Sequence, residues 1–441
     1  MFVADDEMMK LYHVIFFFLL HLFALCIKKS ATFIPTMRFN NKKCPRPSSQ
    51  SQPVSVFAAY ATGAKKEDAD KDNNKSNNNN CNVIQSQCQC GQVTINISLS
   101  PNNNNDNSKV WNCHCPSCRR YHTSAYVSYL QIPRDQLSIR IVANNDNNDE
   151  EDDDNNVKES MMIGRYTSSP CQTLLEKADN NNNSNKVMER WFCTNCSSKL
   201  LSVIVSSNSS STVSTNNDNN NKDECLVNLG TLNQNTIPKS YSNRWKEQLK
   251  KIESNLVTQH EGQHPSSCHW AGVLPSNNYE NVSYSERRRI RLSTASIWLG
   301  GCDCGACRYK ISLTRLTQLQ HCYCNLCRKL SGGPFSSWLP IDRTAFEWED
   351  SSSVDALNLV RTTSFGQRHI CKICRGVLTI VYDDQPNLIW PCAGSLDDAT
   401  LPKNKNEMRT LLSRVCHICC LELPPWLDLV EDGMEKLDDA S

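Results

Sequence analysis

Fourteen cysteines in two ordered sets are the residues of this chain best suited to chemistry. The first set is Cys88 and Cys90, then Cys113, Cys115 and Cys118, then Cys193 and Cys196. The second is Cys302 and Cys304, then Cys322, Cys324 and Cys327, then Cys371 and Cys374. Thiolates two or three positions apart can face one ion, because a tight turn brings both sulfurs within about 2.3 Å of it. In each set the early CxC and the late CxxC form a natural four-sulfur group, and closed four-thiolate zinc sites are structural. The middle CxCxxC supplies three further thiolates, and three protein ligands plus an open position is the arrangement of catalytic zinc. The expectation is therefore two zinc ions per set and four per chain. Three thiolates and a divalent ion leave one negative charge. Arg119, Arg120, Arg328 and Lys329 follow at once, either to offset that charge or to hold an anionic substrate.

The two sets belong to an internal repeat. QCQCGQVTINI (87–97), WNCHCPSCRRYHTSAYVSYLQI (111–132), RWFCTNCSSKLL (190–201) and VNLGTL (227–232) run in the same order as GCDCGACRYKI (301–311), QHCYCNLCRKLSGGPFSSWLPI (320–341), RHICKICRGVLTI (368–380) and PCAGSL (391–396). The longer first copy holds the polar tracts 144–156 and 179–185 between its middle and late cysteines, so one domain is used twice and the first copy is inflated by insertions. VTINI, AYVSYLQI, CRYKI, SSWLPI and VLTIVY alternate apolar with polar residues between Gly, Pro and Asn, which reads as half-buried strands. The expected fold is mostly β: two tandem small zinc-binding antiparallel β domains with disordered Asn/Asp-rich insertions. Boundaries fall at 84–235 and 297–430, with a linker at 236–296 that carries a helix near Trp245 to Leu256 and the basic run 287–291.

CHCPSCRRYHTSA and CYCNLCRKLSGGPFSSW, in this setting, resemble the glutathione-dependent formaldehyde-activating enzyme and centromere protein V family, whose fold is zinc-bound and of the Mss4-like type. The resemblance covers both copies, and the tail LPPWLDLVEDGM (423–434) is similar to the family's closing segment. It implies a structural zinc on the CxC and CxxC cysteines and a catalytic zinc on Cys113, Cys115 and Cys118 and on Cys322, Cys324 and Cys327. The implied activity is carbon-sulfur lyase chemistry on a glutathione-formaldehyde adduct, with Arg119, Arg120, Arg328 and Lys329 meeting the carboxylates of glutathione. A second reading stays open, in which the domains are non-catalytic zinc-stapled modules for protein or chromatin partners. The sequence departs from the family at the late knuckles, where Ser197 and Arg375 stand in place of the usual Gly. A positive φ there would strain or reshape the turn. Cys307 adds a thiol beside the second CxC.

Composition sets the limits on these readings. Of 441 residues 39% are hydrophobic, below the usual globular share, and Asn/Asp runs account for the deficit. Forty-seven Lys and Arg against 46 Asp and Glu give a net charge of +1, which carries no strong nucleic-acid signal. The odd total of 25 cysteines argues against a simple disulfide framework. An apolar run at 11–27 precedes a basic, acid-free segment. Residues 1–80 thus resemble the two-part presequence of algae with secondary plastids, and the alternatives are an endomembrane anchor or a cytoplasmic protein. No membrane segment is expected in the mature domains. Eleven cysteines receive no role, among them Cys416, Cys419 and Cys420 in a strand-like run.

Overall fold

The computed structural model describes residues 82–99, 108–142, 162–169, 186–206, 224–260, 284–287, 289–403, 405–429 and 432–439. The leader, the polar insertions and Cys26, Cys44, Cys81, Cys171 and Cys268 lie outside the described residues.

Alternation builds the first strands of each copy. Strands β1 (Asn82–Gln87) and β2 (Val93–Leu99) pair antiparallel, with Val93, Ile95, Ile97 and Leu99 buried at every second position. The remaining strands of the first copy are β3 (Lys109–Cys113), β4 (Val127–Pro133), β5 (Leu137–Ile141), β6 (Ile163–Ser168), β7 (Lys186–Cys193), β8 (Lys199–Ser206) and β9 (Glu224–Asn228). They form a three-stranded sheet, β1-β2-β5, and a six-stranded antiparallel sheet, β3-β4-β9-β8-β7-β6.

The second copy repeats this plan with a break. Its strands begin with β10 (Arg291–Gly301), β11 (Arg308–Arg315), β12 (Thr317–Cys322), β13 (Ser336–Trp338), β14 (Ile341–Asp342) and β15 (Phe346–Trp348). They continue with β16 (Leu357–Thr363), β17 (Gly366–Cys371), β18 (Val377–Tyr382), β19 (Leu388–Pro391), β20 (Leu412–Ile418) and β21 (Glu435–Lys436). Sheet β10-β11-β15 matches β1-β2-β5. The counterpart of the six-stranded sheet is divided into β14-β19-β18-β17-β16 and β13-β12-β20-β21. The division falls at Leu339 and Pro340, where proline has no N–H to give to a ladder. The expected antiparallel β architecture is thus present in both copies, and β20 adds a parallel partner to β12.

The edge strand before the middle cysteines is protected differently in each copy. β12 is covered by β20, whereas β3 is covered by a helix, Lys239–His260. Tyr241, Trp245 and Leu249 of that helix are buried at four-residue spacing, one apolar stripe. Gln248 accepts from the Val110 N–H at 3.3 Å, and Arg244 donates to Ser108 at 2.7 Å. The expected helix is therefore present, starts earlier, and packs on the first copy. Among the described residues no helix is long and apolar enough to cross a membrane.

The two copies share one large hydrophobic core, running from Ile84 through Trp245 and Trp298 to Met434. Their contacts are reciprocal. Gly230 of the first copy donates its N–H to the Gly332 carbonyl at 3.0 Å, and Gly394, its counterpart, lies against Thr123 and Ser124. Thr123 and Gly332 are equivalent positions, each closing a cysteine-bearing helix with a left-handed residue. Each Gly-[ST]-Leu segment therefore seats on the end of the other copy's helix. This is the geometry of an isologous pair within one chain.

Candidate metal centres

Among the described residues four groups could hold a metal: Cys88, Cys90, Cys193 and Cys196; Cys302, Cys304, Cys371 and Cys374; Cys113, Cys115 and Cys118; and Cys322, Cys324 and Cys327. The sulfurs within each lie within 4.8 Å of one another. All fourteen cysteines singled out in the sequence are brought together in the expected sets. In the four-cysteine groups Cys88 to Cys90 is 3.4 Å, Cys90 to Cys193 3.6 Å, Cys302 to Cys304 3.4 Å and Cys304 to Cys371 3.5 Å. A tetrahedron with bonds of about 2.3 Å has edges of about 3.8 Å, so the donor set fits a thiophilic divalent ion.

Knuckle turns position these sulfurs. The Val93 N–H donates to Cys88 Sγ at 3.2 Å, and the Cys307 N–H to Cys302 Sγ at 3.3 Å. Gly91 and Gly305 supply φ of 79° to those turns. The late knuckles form without glycine: Ser197 stands at φ 61° and Arg375 at φ 60°, each returning its N–H to the first cysteine of its CxxC. The turn is kept, and the penalty for a side chain there is about 1–2 kcal/mol. Lys199 lies fully buried over the Tyr121 ring and donates to the carbonyls of both Ser197 and Arg375, tying the two knuckles together. Burial draws its ammonium down to about 7. Cys307 is buried beside the second group and directs its thiol to the Ala356 carbonyl at 3.5 Å.

The three-cysteine groups stand apart from the shared core, each in a smaller apolar cluster of its own. Cys113 and Cys322 end strands β3 and β12. Cys115 and Cys324 cap the helices Pro116–His122 and Asn325–Ser331, their sulfurs accepting from the N–H of Cys118 and Cys327. Cys118 Sγ is 3.5 Å from Tyr129 Oη and 3.7 Å from Arg190 Nη2. His122 Nδ1 lies 2.6 Å from the Ser331 carbonyl, which can only accept. Nδ1 therefore carries the proton, and Nε2 accepts from Tyr129 at 3.0 Å. Burial lowers His122 to about 3, so it is neutral near pH 7. Asp303 of the second copy faces Ser117, Tyr166 and Arg190, and its carboxyl is raised, chiefly by burial.

The four cations that follow the middle cysteines have unequal surroundings. Arg119 is 1% exposed, donates to the His114 carbonyl at 3.0 Å and pairs with Asp398 of the second copy. Arg328, its equivalent, is 1% exposed and donates to the Tyr323 carbonyl and to the Gln234 side-chain oxygen of the first copy. Both are reciprocal ties between copies. Arg120 pairs with Asp397 at 2.9 Å yet keeps 31% of its side chain exposed, and Lys329 is half-buried.

Arg190 and Arg368 are site residues that the motifs do not single out. Arg190 is fully buried and Arg368 nearly so, with Arg368 Nη2 at 4.0 Å from Cys327 Sγ. Each stands three residues before its late CxxC, in RWFC and RHIC, so the repeat itself holds the signal. His321 and His369 are lowered to about 3 and about 4, chiefly by burial, and bond to Ser337 and Thr379.

Comparison with known proteins agrees with this geometry. The sequence model of the family described as "Glutathione-dependent formaldehyde-activating enzyme" matches residues 83–175 and 298–412, one match in each copy. A Halomonas elongata protein named "Putative glutathione-dependent formaldehyde-activating enzyme" is 26% identical over 133 residues, covering 30% of this chain and 79% of that relative.

Proposed function

We propose that this chain, each copy of which matches the sequence model of the glutathione-dependent formaldehyde-activating enzyme family, is a zinc-dependent carbon-sulfur lyase acting on a glutathione-formaldehyde adduct. The observation that carries the reading is the first-copy group Cys113, Cys115 and Cys118, three thiols bordered by a cation and a hydroxyl. Zinc on three thiolates would supply an open Lewis-acid position for a sulfur or a carbonyl oxygen.

The chain's own residues do the rest. The Arg190 guanidinium, fixed by Ser168 at 2.7 Å and Ser117 at 3.1 Å, offsets the surplus negative charge of three thiolates. The Tyr129 hydroxyl stands 3.5 Å from Cys118 Sγ and donates to Nε2 of the neutral His122 at 3.0 Å, so it is held in place as a polar group beside the sulfur and keeps its proton. Arg120 and Lys329, the more accessible cations, are the proposed contacts for glutathione carboxylates, since charge-assisted pairs of that kind fix an anionic ligand's orientation. The four-cysteine groups are assigned structural zinc, whose binding energy is folding energy.

Purified full-length chain should hold four zinc per molecule and consume formaldehyde only with glutathione present. Two zinc or fewer sinks the four-site assignment. Four zinc with formaldehyde consumption indifferent to glutathione sinks the lyase.

A further inference from the structure

Cys419 receives no role from the sequence, yet its Sγ lies 3.7 Å from Cys322 Sγ, close to the separations within the four-cysteine groups. We propose that Cys419 is the fourth thiolate of the second-copy CxCxxC site, which makes that site closed and leaves the first copy alone with an open one. The proposal rests on the reading that both CxCxxC groups hold a metal.

The fold delivers Cys419 there. β20 runs parallel to β12 in a register that sets Ile418 opposite Cys322, so the next residue emerges beside the thiol that ends β12. The Tyr323 N–H holds the Ile418 carbonyl at 3.0 Å, and the Cys420 N–H reaches the Leu437 carbonyl at 3.0 Å. Between these anchors Cys419 adopts φ 59° and ψ 42°, a left-handed turn rarely taken by a residue with a side chain. Strained single residues of this kind persist where the surroundings fix them, and they gather at functional sites. Cys419 stays outside the trio whose sulfurs are all within 4.8 Å of one another, with Cys322 its neighbour at 3.7 Å and Cys324 the second thiol it interacts with.

The two copies differ at the matching wall. Where Tyr129 sets a hydroxyl against Cys118, the second copy has Trp338, whose indole N–H finds no partner, and Ser331 replaces His122. Trp338 offers no group that could ligate, so the fourth position falls to the thiol that the parallel strand brings. A divalent ion on four thiolates has no vacancy for an outside sulfur. The second site would then clamp the segment after β20 to the end of β12, as the late CxxC clamps β7 in the first copy.

The test uses full-length zinc-loaded chain, alkylated with iodoacetamide and mapped by peptide mass. Cys419 should be protected together with Cys322, Cys324 and Cys327 while neighbouring Cys420 reacts, and chelation should expose all four at once. Alkylation of Cys419 at the rate of Cys420, with the other three still protected, overturns the proposal. Alkylation of all three CxCxxC thiols before chelation shows instead that the metal reading has failed, and the proposal falls with it. Glutathione titration supplies a second readout. Wild-type chain should bind one glutathione thiolate per molecule and zinc-loaded Cys419→Ala two; two for the wild type overturns the proposal.

Discussion

The first-copy trio Cys113, Cys115 and Cys118 looks onto Tyr129, His122 and Arg190, whereas its twin Cys322, Cys324 and Cys327 packs with Trp338 and looks onto Arg368 and Cys419. The cysteine N-caps and the knuckle turns are alike in both. The wall facing the fourth position is not, and that wall decides what three thiols can do. A scaffold fixes where sulfurs stand; a few residues on the next strand fix whether anything else can approach.

The largest expected effect separates the two trios. Cys118→Ser should lower turnover about 100-fold or more, since losing a Lewis acid costs several kcal/mol of transition-state stabilisation. Cys327→Ser should change turnover less than about twofold in chain that stays folded by circular dichroism. Equal losses from both substitutions would break the functional distinction between copies.

A second pair tests the reciprocity of the interface. A Cβ on Gly230 would stand 2.7 Å from the Gly332 carbonyl carbon and 2.8 Å from the Arg328 oxygen, and one on Gly394 would stand 2.5 Å from the Ser124 nitrogen. Backbone cannot yield as a flexible side chain can. Gly230→Ala and Gly394→Ala should each cost about 3 kcal/mol in denaturant unfolding, the upper range for overpacking. If one is silent, the two seats are not equivalent.

The smallest effect sharpens the comparison of knuckles. Ser197→Gly should raise stability by about 1 kcal/mol by relieving the left-handed strain. Arg375→Gly should yield less, because the Arg375 guanidinium also lies 5.6 Å from the centre of the Phe192 ring. Thermal melts of the two variants, run side by side, decide the order.

Much of this is legible in the order of residues alone. Cysteine spacing identifies all four groups, because a metal site states its geometry in chain intervals of one and two residues. Alternation in VTINI and CRYKI locates β2 and β11. Arg190 and Arg368 are present in the repeat but hard to read, since an arginine within a strand ordinarily points to water and only the fold turns these two inward. Cys419 cannot be read at all. Its place beside Cys322 follows from a parallel pairing across 97 positions, which no local pattern announces. Lys199 is similar: it replaces the second copy's Val377, and contact between the copies gives its buried ammonium a second carbonyl, that of Arg375, beside the Ser197 carbonyl of its own knuckle.

The reciprocal seating of each Gly-[ST]-Leu segment on the other copy has a consequence for concentration. Two such halves on separate chains would find each other by diffusion, and dilution would part them. Joined in one chain they meet at an effective molarity set by the connecting segment, which for flexible tethers is on the order of millimolar. Pairing then no longer depends on how much protein is present. Selection can hold the second half to its surface while letting its chemistry lapse, because its other half always comes attached.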